Sequence, residues 1–69
     1  MRVWRAALDT RHFSFEAYGT TGQQARSALK RGLGVHAKAL NLHAGWFSSE
    51  DIIVECFETG VPYRDRQRL

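Results

Sequence analysis

Acidic residues are missing from the whole middle of this chain. Between Ala17 and Ser49 there is no Asp or Glu, while Arg26, Lys30, Arg31 and Lys38 give that stretch a charge of +4. The acids gather instead in the last twenty positions, where five of them face Arg64, Arg66 and Arg68. A net charge of +3 therefore hides a lopsided molecule, with a basic centre and a more acidic C-terminal third. Cysteine is scarce as well. A single Cys56 rules out an internal disulfide framework and a zinc site built from cysteines, so nothing covalent supports a core that 69 residues can only make small. No apolar run approaches the roughly 20 residues of a membrane helix, and Arg2 and Arg5 interrupt the start before a signal-peptide core could form. A soluble protein in a reducing, intracellular setting is the expectation.

Catalytic patterns are missing too. No nucleophile elbow, phosphate-cradling glycine loop, paired zinc ligands or paired active-site acids can be recognised. Cys56 lies mid-strand among apolar residues and reads as an inert core thiol. His36 falls on an apolar helix stripe and reads as a core histidine. His36 and His43 are seven residues apart, about 10 Å along a helix, too far to share one metal ion. No enzyme, metal or cofactor is expected.

What is present is a folded composition, 43% hydrophobic and 25% charged, which argues against disorder. The dominant signal runs from Thr21 to about Leu42. Ala25, Ala28, Leu29, Gly32, Leu33, His36, Ala39 and Leu40 recur at the spacing of one helix face, and Gln23, Arg26, Lys30, Arg31 and Lys38 occupy the other. Thr20 with Gln23, or Thr21 with Gln24, fits a capping box at its start. Gly45 is the expected stop, near His43. Gly32, on the apolar stripe, would let the helix lie close to a sheet. Gly34 has no such role.

Short alternating runs flank the helix. Arg2 to Leu8 puts Trp4, Ala6 and Leu8 on one side; His12 to Tyr18 puts Phe13, Phe15 and Ala17 on one side. The polar link Asp9-Thr10-Arg11 joins them as an antiparallel hairpin. Trp46 and Phe47 are expected to cover the open end of the core, and Ser48 to Asp51 to form one capped helical turn. Ile52 to Glu58 is the third strand, with Ile52, Val54 and Cys56 on one face. Pro62 limits residues 60–69 to an edge strand or a tail. The chain reads as one α+β domain over 1–69, a small two-layer β-β-α-β sandwich with one long helix across one face of an antiparallel sheet. Trp4, Leu8, Phe13, Phe15, Leu29, Leu33, Leu40, Val54 and Cys56 make the expected core.

Two surfaces then stand out. The uncovered sheet face shows Val3, Tyr18, Ile53 and Phe57 beside Arg5, Ser14 and Glu16, which is more apolar than a solvated face needs to be. With Tyr63 from the C-terminal segment, it is the candidate protein interface, for a partner or a second copy. Arg26, Lys30, Arg31 and Lys38 form the candidate anion or nucleic-acid face, although the same residues also suit a plainly solvated helix.

In outline, β-β-α-β modules of this size are similar to double-stranded-RNA-binding and HicB-like antitoxin folds. The first of these ordinarily adds an N-terminal helix and a third strand before the long helix, so the likeness is one of architecture. A further resemblance rests on residues. Phe15-Glu16-Ala17-Tyr18-Gly19-Thr20, then Ala25, Ala28-Leu29, Gly32 and His36, then Glu50-Asp51-Ile52, Val54, Gly60 and Tyr63-Arg64-Asp65-Arg66 resemble small phage and bacterial mobile-element accessory proteins of unassigned function. That class includes anti-CRISPR-type inhibitors of host defence. The resemblance implies a protein of the bacterial or phage-infected cytoplasm that blocks a protein surface by binding it. A DNA-mimic mechanism fits poorly, because such mimics are acidic and this chain is basic.

Overall fold

The structure is a computed structural model and describes residues 1–43 and 45–69. Three strands form one antiparallel sheet: β1 (Arg2–Asp9), β2 (Ser14–Gly19) and β3 (Ile53–Glu58), in the order β2-β1-β3. One helix, α1 (Gly22–Leu40), lies on one face, chiefly over β2 and β1 and less over β3. This is the α+β arrangement read from the sequence, with a second, two-stranded sheet added at the C-terminus.

The alternation of β1 decides the layering. Ala6 and Leu8 are buried on the helix side, opposite Ala17 and Phe15 of β2, and Ala6 also faces Val54 of β3. Ala25, Leu29 and Leu33 of α1 close onto them, with Ile52 just ahead of β3. Trp4, Phe15, Ala17, Trp46, Phe47 and Val54 pack round this centre and are partly exposed. Small residues at Ala6, Ala17 and Ala25 let the layers approach closely, and among the described residues Leu33 is the one large side chain that is fully buried.

The helix begins as a variant of the capping box. Thr21, in extended conformation, accepts the Gln24 amide on its hydroxyl at 3.0 Å. Gln24 reaches back one residue further than the standard pattern, accepting the Thr20 amide at 2.6 Å and the Thr20 hydroxyl at 3.0 Å. The stop differs from the expectation. Asn41 adopts the left-handed conformation (φ 57, ψ 43), and its amide and that of Leu42 satisfy the Ala37 and Lys38 carbonyls. Asparagine tolerates that conformation, so the helix ends before Gly45 is reached. The single turn after it does form, as a 3₁₀ turn at Ser49–Asp51 capped by Ser48.

Several expected core residues lie outside the core. Phe13 is 51% exposed, because β2 starts at Ser14, two residues later than expected, and the loop closes on itself instead: Thr10 and Phe13 exchange three hydrogen bonds between 2.8 and 3.1 Å. Leu40 is 52% exposed, since the last helical turn overhangs the sheet. Cys56 is exposed although it shares the helix-facing side with Val54. The first helical residue, Gly22, already sits over Trp4 and Val54, within 3.3 Å of each for an added Cβ, and leaves no helix above Cys56. Gly22 is thus the close-approach glycine, whereas nothing lies within 4 Å of a Cβ at Gly32.

The C-terminal segment is a hairpin, neither an added edge strand nor a tail. β4 (Tyr63–Arg64) pairs with β5 (Gln67–Arg68) across Asp65 and Arg66, both at positive φ (51 and 66). Positive φ at both central residues marks a tight primed hairpin turn.

Candidate binding surfaces

The sheet face without a helix is built from the odd positions of β1 and β3 and the even positions of β2. Pairing sets its rows. Ala7 lies between Glu16 and Ile53, Arg5 between Tyr18 and Glu55, and Val3 opposite Phe57. The middle row is charged and only partly satisfied, since Glu55 Oε1 is buried with no hydrogen-bond partner among the described residues. Arg5 Nε donates to Glu16 Oε2 at 3.0 Å, the Tyr18 hydroxyl donates to the same oxygen at 2.7 Å, and Arg5 Nη1 stands 3.8 Å from Glu55 Oε1. The Tyr18 hydroxyl first and the Arg5 guanidinium second hold the Glu16 carboxyl below its ordinary value. The Glu16 carboxylate in turn raises the Arg5 guanidinium.

The five candidate interface residues divide on this face. Tyr18 and Ile53 are 54% and 52% exposed, and Val3 is half-buried. Phe57 and Tyr63 are half-buried against each other, rings perpendicular with centroids 5.0 Å apart. Tyr63 belongs to the C-terminal hairpin, and its hydroxyl accepts the Glu58 amide at 2.9 Å. Arg66 to Glu55 at 3.6 Å and Arg68 to Glu58 at 3.3 Å fasten the same hairpin to β3. The face is therefore not one apolar patch. A charged row divides Ile53 from Phe57, and the hairpin shields the Phe57 end.

On the helix, the four candidate basic residues also divide. Arg26 is half-buried and donates from Nη2 to the Ser49 carbonyl at 3.1 Å, tying α1 to the turn before β3. Lys30, Arg31 and Lys38 are exposed, and no carboxylate pairs with them among the described residues. Glu16, Glu55 and Glu58 pair with arginines outside the helix, so the helix cations keep their field.

One cluster escaped the sequence reading. His36 is enclosed by Phe13, Phe15 and Trp46, with ring centroids at 4.9, 4.8 and 5.4 Å, and Phe47 extends the cluster from Trp46 at 5.2 Å. The signal for it was the coincidence of Phe13 before β2 with His36 on the helix stripe, but helical periodicity does not tell which strand end lies beneath. The cluster closes one end of the sandwich. Among the described residues, no three His, Cys, Asp or Glu side chains stand close enough to hold a metal ion. None of the described helices is long and apolar enough to cross a membrane. Comparison with known proteins gave no matching family model, no matching curated protein and no matching solved structure.

Proposed function

We propose that this chain is a non-catalytic binding module that docks a protein partner on its open sheet face, in the manner of mobile-element accessory proteins that modulate or inhibit a host complex. One observation carries this reading: Tyr18 and Ile53 stand more than half exposed on a face that no helix covers. The charged row that holds Tyr18 and flanks Ile53 offers hydrogen-bonding specificity at small electrostatic cost, since Glu16 already has two partners. The test is capture from a bacterial lysate on immobilised protein, followed by binding measurements with the purified partner. Ile53→Asp is expected to weaken that binding at least tenfold while leaving circular dichroism unchanged. Equal binding by wild type and variant overturns the reading.

A second reading is favoured by the uncompensated Lys30, Arg31 and Lys38, which suit a nucleic-acid backbone. Affinity for duplex DNA or RNA would then fall by about 0.9 log units per log unit of salt for each phosphate neutralised. Lys30→Ala/Arg31→Ala would lower that slope. Equal, weak binding by both proteins removes nucleic acid as the partner.

A further inference from the structure

The two edges of the sheet are treated differently. The outer edge of β3 is fenced by the C-terminal hairpin, with Tyr63 on the Glu58 amide and Arg66 and Arg68 on Glu55 and Glu58. The outer edge of β2 is bare: among the described residues no hydrogen bond reaches its backbone from any element other than β1. β2 carries none of the devices that keep an edge solitary, neither lysine nor proline, and its one charge, Glu16, is turned onto the open face and neutralised. Its core-facing Phe15 and Ala17 remain half-exposed, while Ala6 and Leu8 on the adjacent β1 are buried.

The helix flank above that edge is unpartnered as well. Round a helix of about 3.6 residues per turn, Arg26 faces the β3 side, Leu33, Gly22 and Leu29 face the sheet, and His36 faces β2. Continuing past His36 and the buried Ala25, the next positions are Gly32, Ala39, Ala28 and Val35. None is charged, and Val35 is 70% exposed. The area agrees with a missing partner. A compact monomer of 7.9 kDa exposes about 4,400 Å². This chain exposes 5344 Å² and is elongated, 41 × 22 × 19 Å. The surplus of about 900 Å² is close to the roughly 800 Å² that each partner buries in a standard interface.

We infer that a second copy of this chain covers this side, β2 pairing antiparallel with its own symmetry mate to give a continuous six-stranded sheet. Because paired residues must share a face, the dyad falls on a residue. Centring on Glu16 would set two carboxylates opposite each other, which is unfavourable. Centring on Ala17 sets Glu16 opposite the Tyr18 of the second copy, the same carboxylate–hydroxyl pairing that already exists at 2.7 Å within one chain. With α1 seated over β2 and β1, the two helix axes would lie about 10 Å apart, a distance at which small residues such as Ala28, Gly32 and Ala39 let helices touch. This assembly stands independently of what the open sheet face binds, and it would double that face.

The test begins with sedimentation equilibrium of the full chain across about 10 to 500 µM. Wild type is expected at twice 7.9 kDa. Val35→Asp and Gly32→Gln, both at exposed sites, are expected to weaken association at least tenfold with unchanged circular dichroism. Gly32→Gln also improves the helix of an isolated chain, so lost association cannot be a folding defect. Spin labels on the native, exposed Cys56 supply the geometry. Five strand spacings and the Ala17 register place the two labelled backbones roughly 25–30 Å apart. A wild type that stays at 7.9 kDa overturns the inference. So does a dimer indifferent to both substitutions, or a label separation below about 15 Å, which would mean pairing through β3.

Discussion

The two faces of the sheet are held by different physics. Under the helix, Ala6, Leu8, Ala25, Leu29, Leu33 and Ile52 exclude water, and no polar or charged residue is buried with them among the described residues. On the other face the centre is an ion pair: Arg5 between Glu16 and Glu55, with Tyr18 bonded to Glu16. Burial on the first face is worth about 25 cal/mol per Å² and involves no titrating or screened charge. Exposed ion pairs contribute about 0–1 kcal/mol each and respond to salt and pH. A chain of this size thus keeps most of its apolar burial on one side of the sheet.

The sharpest way to break that comparison is to remove Leu33, the one large side chain among the described residues with no exposure. Leu33→Ala should cost on the order of 2–5 kcal/mol, enough to unfold much of the population of a domain this small. Denaturant unfolding followed by circular dichroism measures it. A melting temperature within a few degrees of wild type would mean that the helix is not seated on Leu33.

An intermediate effect is expected where the C-terminal hairpin meets β3. Tyr63→Phe keeps the ring against Phe57 but removes the acceptor of the Glu58 amide, at a cost of about 0.5–1.5 kcal/mol. Hydrogen exchange at the Glu58 amide should accelerate while Ala6 and Leu8 stay protected. If the Glu58 amide exchanges at the wild-type rate, the hairpin does not fence this edge.

How much of this was legible in the sequence follows from what periodicity encodes. Alternation and helical spacing report which face a residue takes, so β1, β2, α1 and β3 and the sides of Trp4, Ala6 and Leu8 could be read directly. They do not report how far one layer overlaps the next. Phe13, Leu40 and Cys56 were assigned to the correct sides, yet they lie where the strand or the helix above has already ended. Turn chemistry failed where an unusual residue did a glycine's work. Asn41 stops the helix in place of Gly45, and Asp65-Arg66 turns the hairpin with both residues at positive φ, where Asn-Gly is the usual signal. Of the candidate surfaces, the element and face of each residue could be read, but not which of them would stay exposed or how they pair. The register that sets Arg5 between Tyr18 and Glu55, and the hairpin that brings Tyr63 onto Phe57, depend on contacts between distant segments.

The smallest effect belongs to the charged row, and it can be read without unfolding anything. The Glu16 carboxyl in the folded chain titrates below its ordinary 4.5, because both of its partners favour the ionised form. A carboxyl depressed on folding contributes stability that is fully present above its unfolded value and is lost as the pH falls through the folded one. Any acid sensitivity from this site therefore lies below pH 4.5 and leaves neutral pH untouched. The Tyr18 hydrogen bond is the largest single cause, and its hydroxyl is uncharged. Tyr18→Phe should move the Glu16 midpoint back towards the ordinary value, as followed by carboxyl chemical shifts in an NMR titration. Raising the salt should move it less, since salt screens only the Arg5 contribution. A larger shift with salt than with Tyr18→Phe would reverse that ranking and make the row an ion pair with a tyrosine beside it.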